Sequence, residues 1–132
     1  MERRHLNLPN KKLPKGMRRW PFSDAVRAGE TLYISGRLGL DRETGRPPAD
    51  VREEAKRILD DVVAILALDG LTTEALVMVT IHAPDVSHFA AFNEVYLSYF
   101  GDTLPARAFL GSGPLLYGCR FELTAIAVAN PL

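Results

Sequence analysis

The sequence predicts an α+β fold, a two-layer domain in which two helices lie on one face of a mixed β-sheet. Apolar residues recur at helical spacing in two stretches, and short segments of alternating apolar residues stand before, between and after them. The predicted elements in chain order are strands at 22–28 and 31–36, a helix at 50–69, a strand at 76–83, a helix at 84–100, and strands at 106–110 and 119–129. Such a fold leaves the other sheet face partly apolar, and oligomerisation is a natural way to cover it.

The helix at 50–69 has clear signals at both ends. Asp50 is suited to the N-cap, and Glu53 three residues later completes a capping-box pattern. Gly70 is suited to the C-terminal cap. Between these ends lies an apolar stripe at helical spacing, made of Val51, Ala55, Ile58, Leu59, Val62, Ile65 and Leu66. We therefore expect this helix to pack against the sheet.

The N-terminal segment differs from the rest of the chain in charge. The whole chain has 16 Lys and Arg against 16 Asp and Glu. Residues 1–19 contain a single acidic residue, Glu2. The same segment contains seven basic residues, namely Arg3, Arg4, Lys11, Lys12, Lys15, Arg18 and Arg19. Termini of this kind are usually poorly ordered, so we expect a loose basic arm at 1–19 and a single folded domain at 20–132. Contact with RNA phosphates is the alternative for the arm, but we expect no nucleic-acid partner.

The composition argues against several classes of protein. Cys119 is the only cysteine, which rules out an intramolecular disulfide framework and fits a reducing compartment. No apolar run is long enough to span a bilayer, and no apolar stretch follows the basic N-terminus as in a secretory signal. His5, His82 and His88 are far apart and lack the spacing of a ligand set. We therefore expect a cytoplasmic protein without a metal ion, cofactor or membrane partner.

Two charged residues interrupt apolar strands near the C-terminus. Glu122 shares a strand face with the alternate residues from Thr124 to Val128. Arg107 is the only charge in the segment 105–110, and its planar guanidinium is suited to bidentate binding of a carboxylate. A charged residue within an otherwise apolar strand often marks a functional site. The alternatives are a structural ion pair between the two residues, or a Glu122 that is exposed near the start of its strand.

Four stretches of the sequence carry a resemblance to a known family. They are Leu32-Tyr33-Ile34-Ser35-Gly36, Asp41-Arg42-Glu43-Thr44-Gly45, the helical segment at 89–100, and Pro105-Ala106-Arg107 followed by Glu122 fifteen residues after the arginine. In this order they resemble the reactive-intermediate deaminase family (RidA/YjgF-like, endoribonuclease L-PSP). The resemblance runs from about residue 20 to residue 128, and the chain is identified as a member.

Membership implies a fold, an activity and a set of site residues. The implied fold is chorismate-mutase-like (bacillary type), in a homotrimer with sites in the clefts between subunits. The implied activity is hydrolysis of imines or enamines of 2-amino acids to 2-keto acids and ammonia, without a cofactor. The family's arginine, which holds the substrate carboxylate, maps onto Arg107, and its glutamate, which positions the attacking water, maps onto Glu122. The further substrate-binding residues that the resemblance implies are Phe22, Ser35, Gly36, Asn93 and Phe109.

Two aromatic residues depart from the family pattern. Phe22 stands where many members carry a tyrosine, and it cannot donate a hydroxyl hydrogen bond. Phe109 stands where many members have a small residue or a cysteine, which implies a tighter or more apolar pocket. These departures indicate a divergent branch of the family whose preferred substrate differs from the usual 2-iminopropanoate type. The missing tyrosine hydroxyl favours an alternative function, a non-catalytic small-carboxylate-binding or regulatory protein on the same fold. Retention of both Arg107 and Glu122 favours the enzyme.

Overall fold

The computed structural model describes residues 2–9, 13 and 15–129, which contain a six-stranded mixed sheet and two α-helices. The strands are β1 (Arg3–Leu6), β2 (Ala25–Ala28), β3 (Thr31–Arg37), β4 (Leu76–Ala83), β5 (Ala106–Gly111) and β6 (Glu122–Val128), and the helices are α1 (Val51–Leu68) and α2 (Phe89–Leu97). The strand order is β1-β2-β3-β6-β4-β5, with β4 and β5 parallel and all other neighbours antiparallel. The predicted α+β class is confirmed.

Helix α1 buries the face that the periodicity predicted. Its N-cap Asp50 accepts a hydrogen bond from the Arg52 amide (2.8 Å), and Gly70 follows its end with a φ of 70°, which favours glycine. The residues of α1 that are buried against the sheet include Ala55, Ile58, Leu59, Val62, Ile65 and Leu66. On the sheet side the core consists mainly of alternate strand residues, among them Leu32, Ile34, Val79, Ile81, Leu123 and Ala125. This packing defines one covered face of the sheet and one open face.

Strand β1 lies within the arm that was predicted to be loose, and for residues 3–6 that prediction is wrong. β1 pairs with β2, and the pairing satisfies backbone groups along an otherwise open sheet edge. The Leu8 amide donates a hydrogen bond to the buried carboxylate of Asp24 (2.8 Å), and Arg4 forms a salt bridge with the C-cap residue of α1. Charge composition could not reveal this strand, because a four-residue pairing depends on backbone hydrogen bonds. The arm's lysines at 11–12 lie outside the described residues.

Helix α2 is shorter at both ends than the predicted 84–100. A 3₁₀ turn precedes it, and Asp85 caps this turn by accepting a hydrogen bond from the Ser87 amide (2.9 Å). Side chains of this kind compete with regular helical hydrogen bonding, which explains the later start. Phe92 and Tyr96 are the buried residues of α2. Neither α1 nor α2, the two α-helices of the described chain, is long and apolar enough to cross a membrane.

The sheet face opposite the helices is not covered by any described element of the chain. The side chains of Met78, Thr80, Thr124 and Ile126 are half-buried there. With the exposed ring of Tyr33 they line a shallow depression of about 230 Å³. The face is thus partly apolar, as the two-layer pattern predicted.

Candidate functional site

Arg107 lies on the edge strand β5, with its side chain on the helix-covered face of the sheet. The parallel register pairs it with Val79, a core residue of that face. Its guanidinium carbon is 4.8 Å from the ring centroid of Tyr96, 5.6 Å from that of Phe89 and 5.9 Å from that of Phe109. Within the described ranges no carboxylate pairs with it. An arginine surrounded by rings instead of acids retains its N–H donors for a carboxylate from outside.

Glu122 begins β6 on the open face of the sheet. It pairs across strands with His82, and its neighbour Leu123 is buried on the covered face. Its carboxylate lies against Gly36, because a Cβ atom built on that glycine would stand 2.6 Å from Glu122 Oε2. The carboxylate has no hydrogen-bond or ion-pair partner in the part of the chain that the structure describes. Its oxygens can therefore accept hydrogen bonds from water.

The sheet separates Arg107 from Glu122. Their strands, β5 and β6, lie on either side of β4, and their side chains project from opposite faces. The structural ion pair that the sequence left open is therefore not formed within the chain. A small molecule bound to Arg107 cannot also contact the Glu122 of the same chain.

A buried glutamate on α1, which the sequence analysis missed, holds the start of β6. Glu54 Oε2 accepts hydrogen bonds from the amides of Arg120 (2.7 Å) and Phe121 (3.1 Å), and its Oε1 accepts one from Arg120 Nε (2.5 Å). Arg120 also donates to the carbonyl of Ala49 (3.2 Å). These contacts fix the two peptide groups that precede Glu122. The available signal was a charge within the apolar stripe of α1.

Two of the predicted pocket residues make other contacts. The Ser35 hydroxyl donates a hydrogen bond to the Ser23 carbonyl (2.6 Å), which ties β3 to the segment before β2. Phe22 packs against Trp20 with ring centroids 5.6 Å apart, and its ring lies 6.0 Å from the guanidinium carbon of Arg37. Neither residue belongs to the aromatic cluster around the arginine of β5.

Phe109 does belong to that cluster. Its ring meets Phe89 edge-on at 5.1 Å and lies 5.8 Å from Phe92, so it is anchored to α2. Phe109 also lies 6.5 Å from Phe121, the buried residue next to Glu122. Aromatic packing thus continues from the arginine to the start of β6.

Helix α2 brings two buried polar atoms to the neighbourhood of this cluster. Asn93, a predicted pocket residue, lies one turn before Tyr96. The Asn93 amide oxygen and the Tyr96 hydroxyl are both buried, and neither has a hydrogen-bond partner among the described residues. Burial raises the pKa of the Tyr96 hydroxyl. The sequence indicated that α2 has an aromatic face. It could not predict that this face contacts Arg107, because α2 and β5 are separate segments that meet only in the folded chain.

The described residues contain no group of three or more His, Cys, Asp or Glu that could hold a metal ion. Burial raises the pKa of the Cys119 thiol to about 12, and the charge of Glu54 adds to this effect. A thiol with so high a pKa is a poor nucleophile at neutral pH. The arginine of β5 and the carboxylate of β6 remain the two candidate groups for chemistry that the sequence analysis singled out.

Comparisons with known proteins identify the family and the fold of the chain. The family model described as Endoribonuclease L-PSP matches residues 16–129. A 2-iminobutanoate/2-iminopropanoate deaminase of Capra hircus is 42% identical over 113 residues, which cover 85% of this chain and 82% of the relative. The crystal structure of the E. coli YjgF gene product superposes with a TM-score of 0.83 at 30% identity, over 96% of this chain and 99% of that one. E. coli TdcF with bound serine gives a TM-score of 0.79 at 31% identity, over 85% and 91%. The predicted chorismate-mutase-like fold is confirmed.

Proposed function

Because this chain belongs to the Endoribonuclease L-PSP family, which includes the RidA and YjgF proteins, we propose that it hydrolyses reactive imines and enamines of 2-amino acids. The products are 2-keto acids and ammonia. The observation that carries the proposal is the pair of functional groups described above, an arginine and a carboxylate without partners in the described chain. Relatives named 2-iminobutanoate/2-iminopropanoate deaminase at 41–42% identity support the same reaction.

Arg107 holds the substrate in this proposal. An imino acid carries a carboxylate next to the electrophilic carbon, and a guanidinium binds a carboxylate through two parallel hydrogen bonds. The rings around Arg107 contact the guanidinium within 4.8–5.9 Å and leave its donors for this purpose. Holding the carboxylate places the adjacent carbon in a defined orientation for attack. Serine, the molecule bound in the TdcF structure, also carries a 2-amino acid carboxylate.

Glu122 activates the water. Its carboxylate accepts a proton from water as the water oxygen bonds to the carbon of the protonated imine, and the electron pair of the C=N bond moves to the nitrogen, which gives a hydroxyl and a neutral amine on the same carbon. Glu122 then returns that proton to the amine, the C–N bond breaks as ammonia leaves, and the hydroxyl gives its proton to the Glu122 carboxylate as the C=O bond of the 2-keto acid forms. General base assistance of this kind contributes roughly 10²–10⁴-fold. Water is the only co-reactant, so the balance requires no cofactor.

The two half-sites come together between subunits in this proposal. Arg107 and Glu122 of one chain project from opposite sheet faces, so the substrate on Arg107 meets the partner subunit's Glu122. The open, partly apolar sheet face is available for such an assembly. A closed ring of three chains, the homotrimer expected from the family, provides equivalent sites at its interfaces.

An assay with freshly generated 2-iminobutanoate tests the proposal. An amino-acid oxidase produces the imine, and semicarbazone trapping measures how much of it escapes hydrolysis. We expect the protein to reduce trapping and to accelerate ammonia release, and Glu122→Gln to abolish both effects. A protein that binds 2-oxobutanoate but does not accelerate imine loss would be the non-catalytic carboxylate-binding protein instead.

A further inference from the structure

We propose that Tyr96 is a positioning residue for Arg107: its ring sets the plane of the guanidinium, so that the donors face an incoming carboxylate. The inference rests on the proposed function, because it assumes that Arg107 binds the substrate carboxylate. It assigns a role to a residue whose hydroxyl makes no hydrogen bond among the described residues.

Tyr96 is the aromatic residue nearest to the guanidinium. Its ring centroid lies 4.8 Å from Arg107 Cζ, whereas those of Phe89 and Phe109 lie 5.6 Å and 5.9 Å away. Tyr96 is 3% exposed, whereas Phe89 is 46% exposed. A cation–π contact gains strength when the ring and the cation are removed from water. The contact between Arg107 and the Tyr96 ring is therefore the strongest of the three cation–π contacts.

The Tyr96 ring is itself held in place. It stacks on Phe92 with centroids 5.9 Å apart and planes at 30°, and it lies 4.7 Å from the ring of Phe100. Phe92 is fully buried in the core. A ring supported on both sides cannot turn away, so it presents a fixed surface to the arginine.

Arg107 needs such a surface because no hydrogen bond or ion pair from the described residues orients its guanidinium. An arginine has several rotatable bonds and loses considerable conformational entropy when it is fixed. Elsewhere in the described chain, buried or half-buried arginines are oriented by carboxylates, as Arg37 is by Asp24 (3.0 Å) and Arg120 is by Glu54 (2.5 Å). An acid next to Arg107 would compete with the substrate carboxylate. A ring orients the cation without occupying its N–H donors.

Titration with 2-oxobutanoate, a stable 2-keto acid, tests the inference on the full-length protein. Tyr96→Phe keeps the ring, and we expect its affinity to stay within about twofold of the unmodified protein. Tyr96→Leu removes the ring, and we expect about tenfold weaker binding, since the contact contributes up to about that factor when desolvated. Tyr96→Met also lacks the ring but has an unbranched, flexible side chain that adapts to irregular gaps, and it replaces Tyr96→Leu if the latter does not fold. Val95→Ala is the matched control, because Val95 is the neighbour of Tyr96 on α2 and also packs against the core, but has no ring.

The outcomes separate this inference from the proposed function. If Tyr96→Phe weakens binding as much as Tyr96→Leu, the hydroxyl and not the ring is responsible, and the inference is overturned. It is also overturned if the folded ringless variants bind as tightly as Val95→Ala while Arg107→Lys binds poorly, although Arg107 then still binds the carboxylate. If Arg107→Lys itself binds normally, the proposed function fails at its first step, and the inference fails with it.

Discussion

Arg107 and Glu122 project from opposite faces of one β-sheet, on the two strands that flank β4. One chain therefore carries two separate half-sites. The first is an arginine among rings of α2 and β5, and the second is a carboxylate that rests on Gly36. Among the residues that the structure describes, no carboxylate pairs with the arginine and no cation pairs with the carboxylate, so each half can supply what the other lacks. The proposed chemistry follows from joining the two halves across a subunit boundary.

Arg107→Lys should weaken binding of 2-oxobutanoate by roughly 10–100-fold, because an ammonium cannot form the two parallel hydrogen bonds of a guanidinium. Turnover of 2-iminobutanoate should also fall, since the carbon under attack is no longer held in position. Calorimetric titration and the trapping assay measure the two effects. Thermal melting should change little, because Arg107 has no ion-pair partner among the described residues to lose. A variant that binds normally would remove the arginine from the site.

Gly36→Ala should lower turnover without lowering stability. A Cβ at this position would stand 2.6 Å from Glu122 Oε2, and the end of a flexible side chain can move away at little cost. A displacement of about 1 Å of a catalytic group costs on the order of 10²-fold in rate. The control is Gly101→Ala, since nothing lies within 4 Å of a Cβ built there. Equal activity of the two variants would show that the place of the carboxylate over Gly36 is irrelevant to the reaction.

Local patterns predicted the parts of the fold that local physics specifies. The stripe of α1 and its caps at Asp50 and Gly70 lie within one segment, and the structure confirms them. The charges of Arg107 and Glu122 conflict with their own apolar strands, which drew attention to them, but their expected roles came from the family resemblance. The sequence could not show that they lie on opposite faces of the sheet, because the face of Arg107 depends on the parallel register between β4 and β5.

Most of the missed features depend on segments that are distant in the sequence. β1 forms because β2 offers an open edge, although the arm's own composition argues against order. Tyr96 meets Arg107 only after α2 packs beside β5. Glu54 is the exception, because a charge inside the apolar stripe of α1 is visible in the sequence. Its hydrogen-bond partners, the amides of Arg120 and Phe121, could not be predicted from that stripe.

Glu54→Gln should destabilise the protein by about 3–5 kcal/mol, the usual cost of breaking a buried ion pair by removing one partner. The amide cannot accept all three hydrogen bonds from Arg120 and Phe121. Urea unfolding measures the free energy of unfolding, with Glu53→Gln on the exposed side of α1 as control. A loss below about 1 kcal/mol would mean that the buried carboxylate does not hold the start of β6.

Cys119 should resist alkylation by iodoacetamide at about pH 8 in the native protein. Burial raises the pKa of its thiol to about 12, so the reactive thiolate is about three orders of magnitude scarcer than at the ordinary pKa near 9. The same thiol should react fully in concentrated guanidinium chloride, where burial is lost. Mass spectrometry over a time course measures both rates. Native alkylation as fast as that of a free cysteine would contradict the buried, protonated thiol.

In the shared site that we propose, Arg107 of one chain and the partner subunit's Glu122 act on the same substrate. Co-expression of Arg107→Lys and Glu122→Gln chains in equal amounts, with different tags so that mixed oligomers can be isolated, tests whether the site is shared. Each variant alone lacks one of the two groups at every site. In a closed trimer that contains both variants, one of the three interfaces combines an intact arginine with an intact glutamate. We expect 2-iminobutanoate hydrolysis by the isolated mixed oligomers to recover to about a third of the unmodified level, whereas activity that stays at the average of the two parent variants would contradict a site shared between chains.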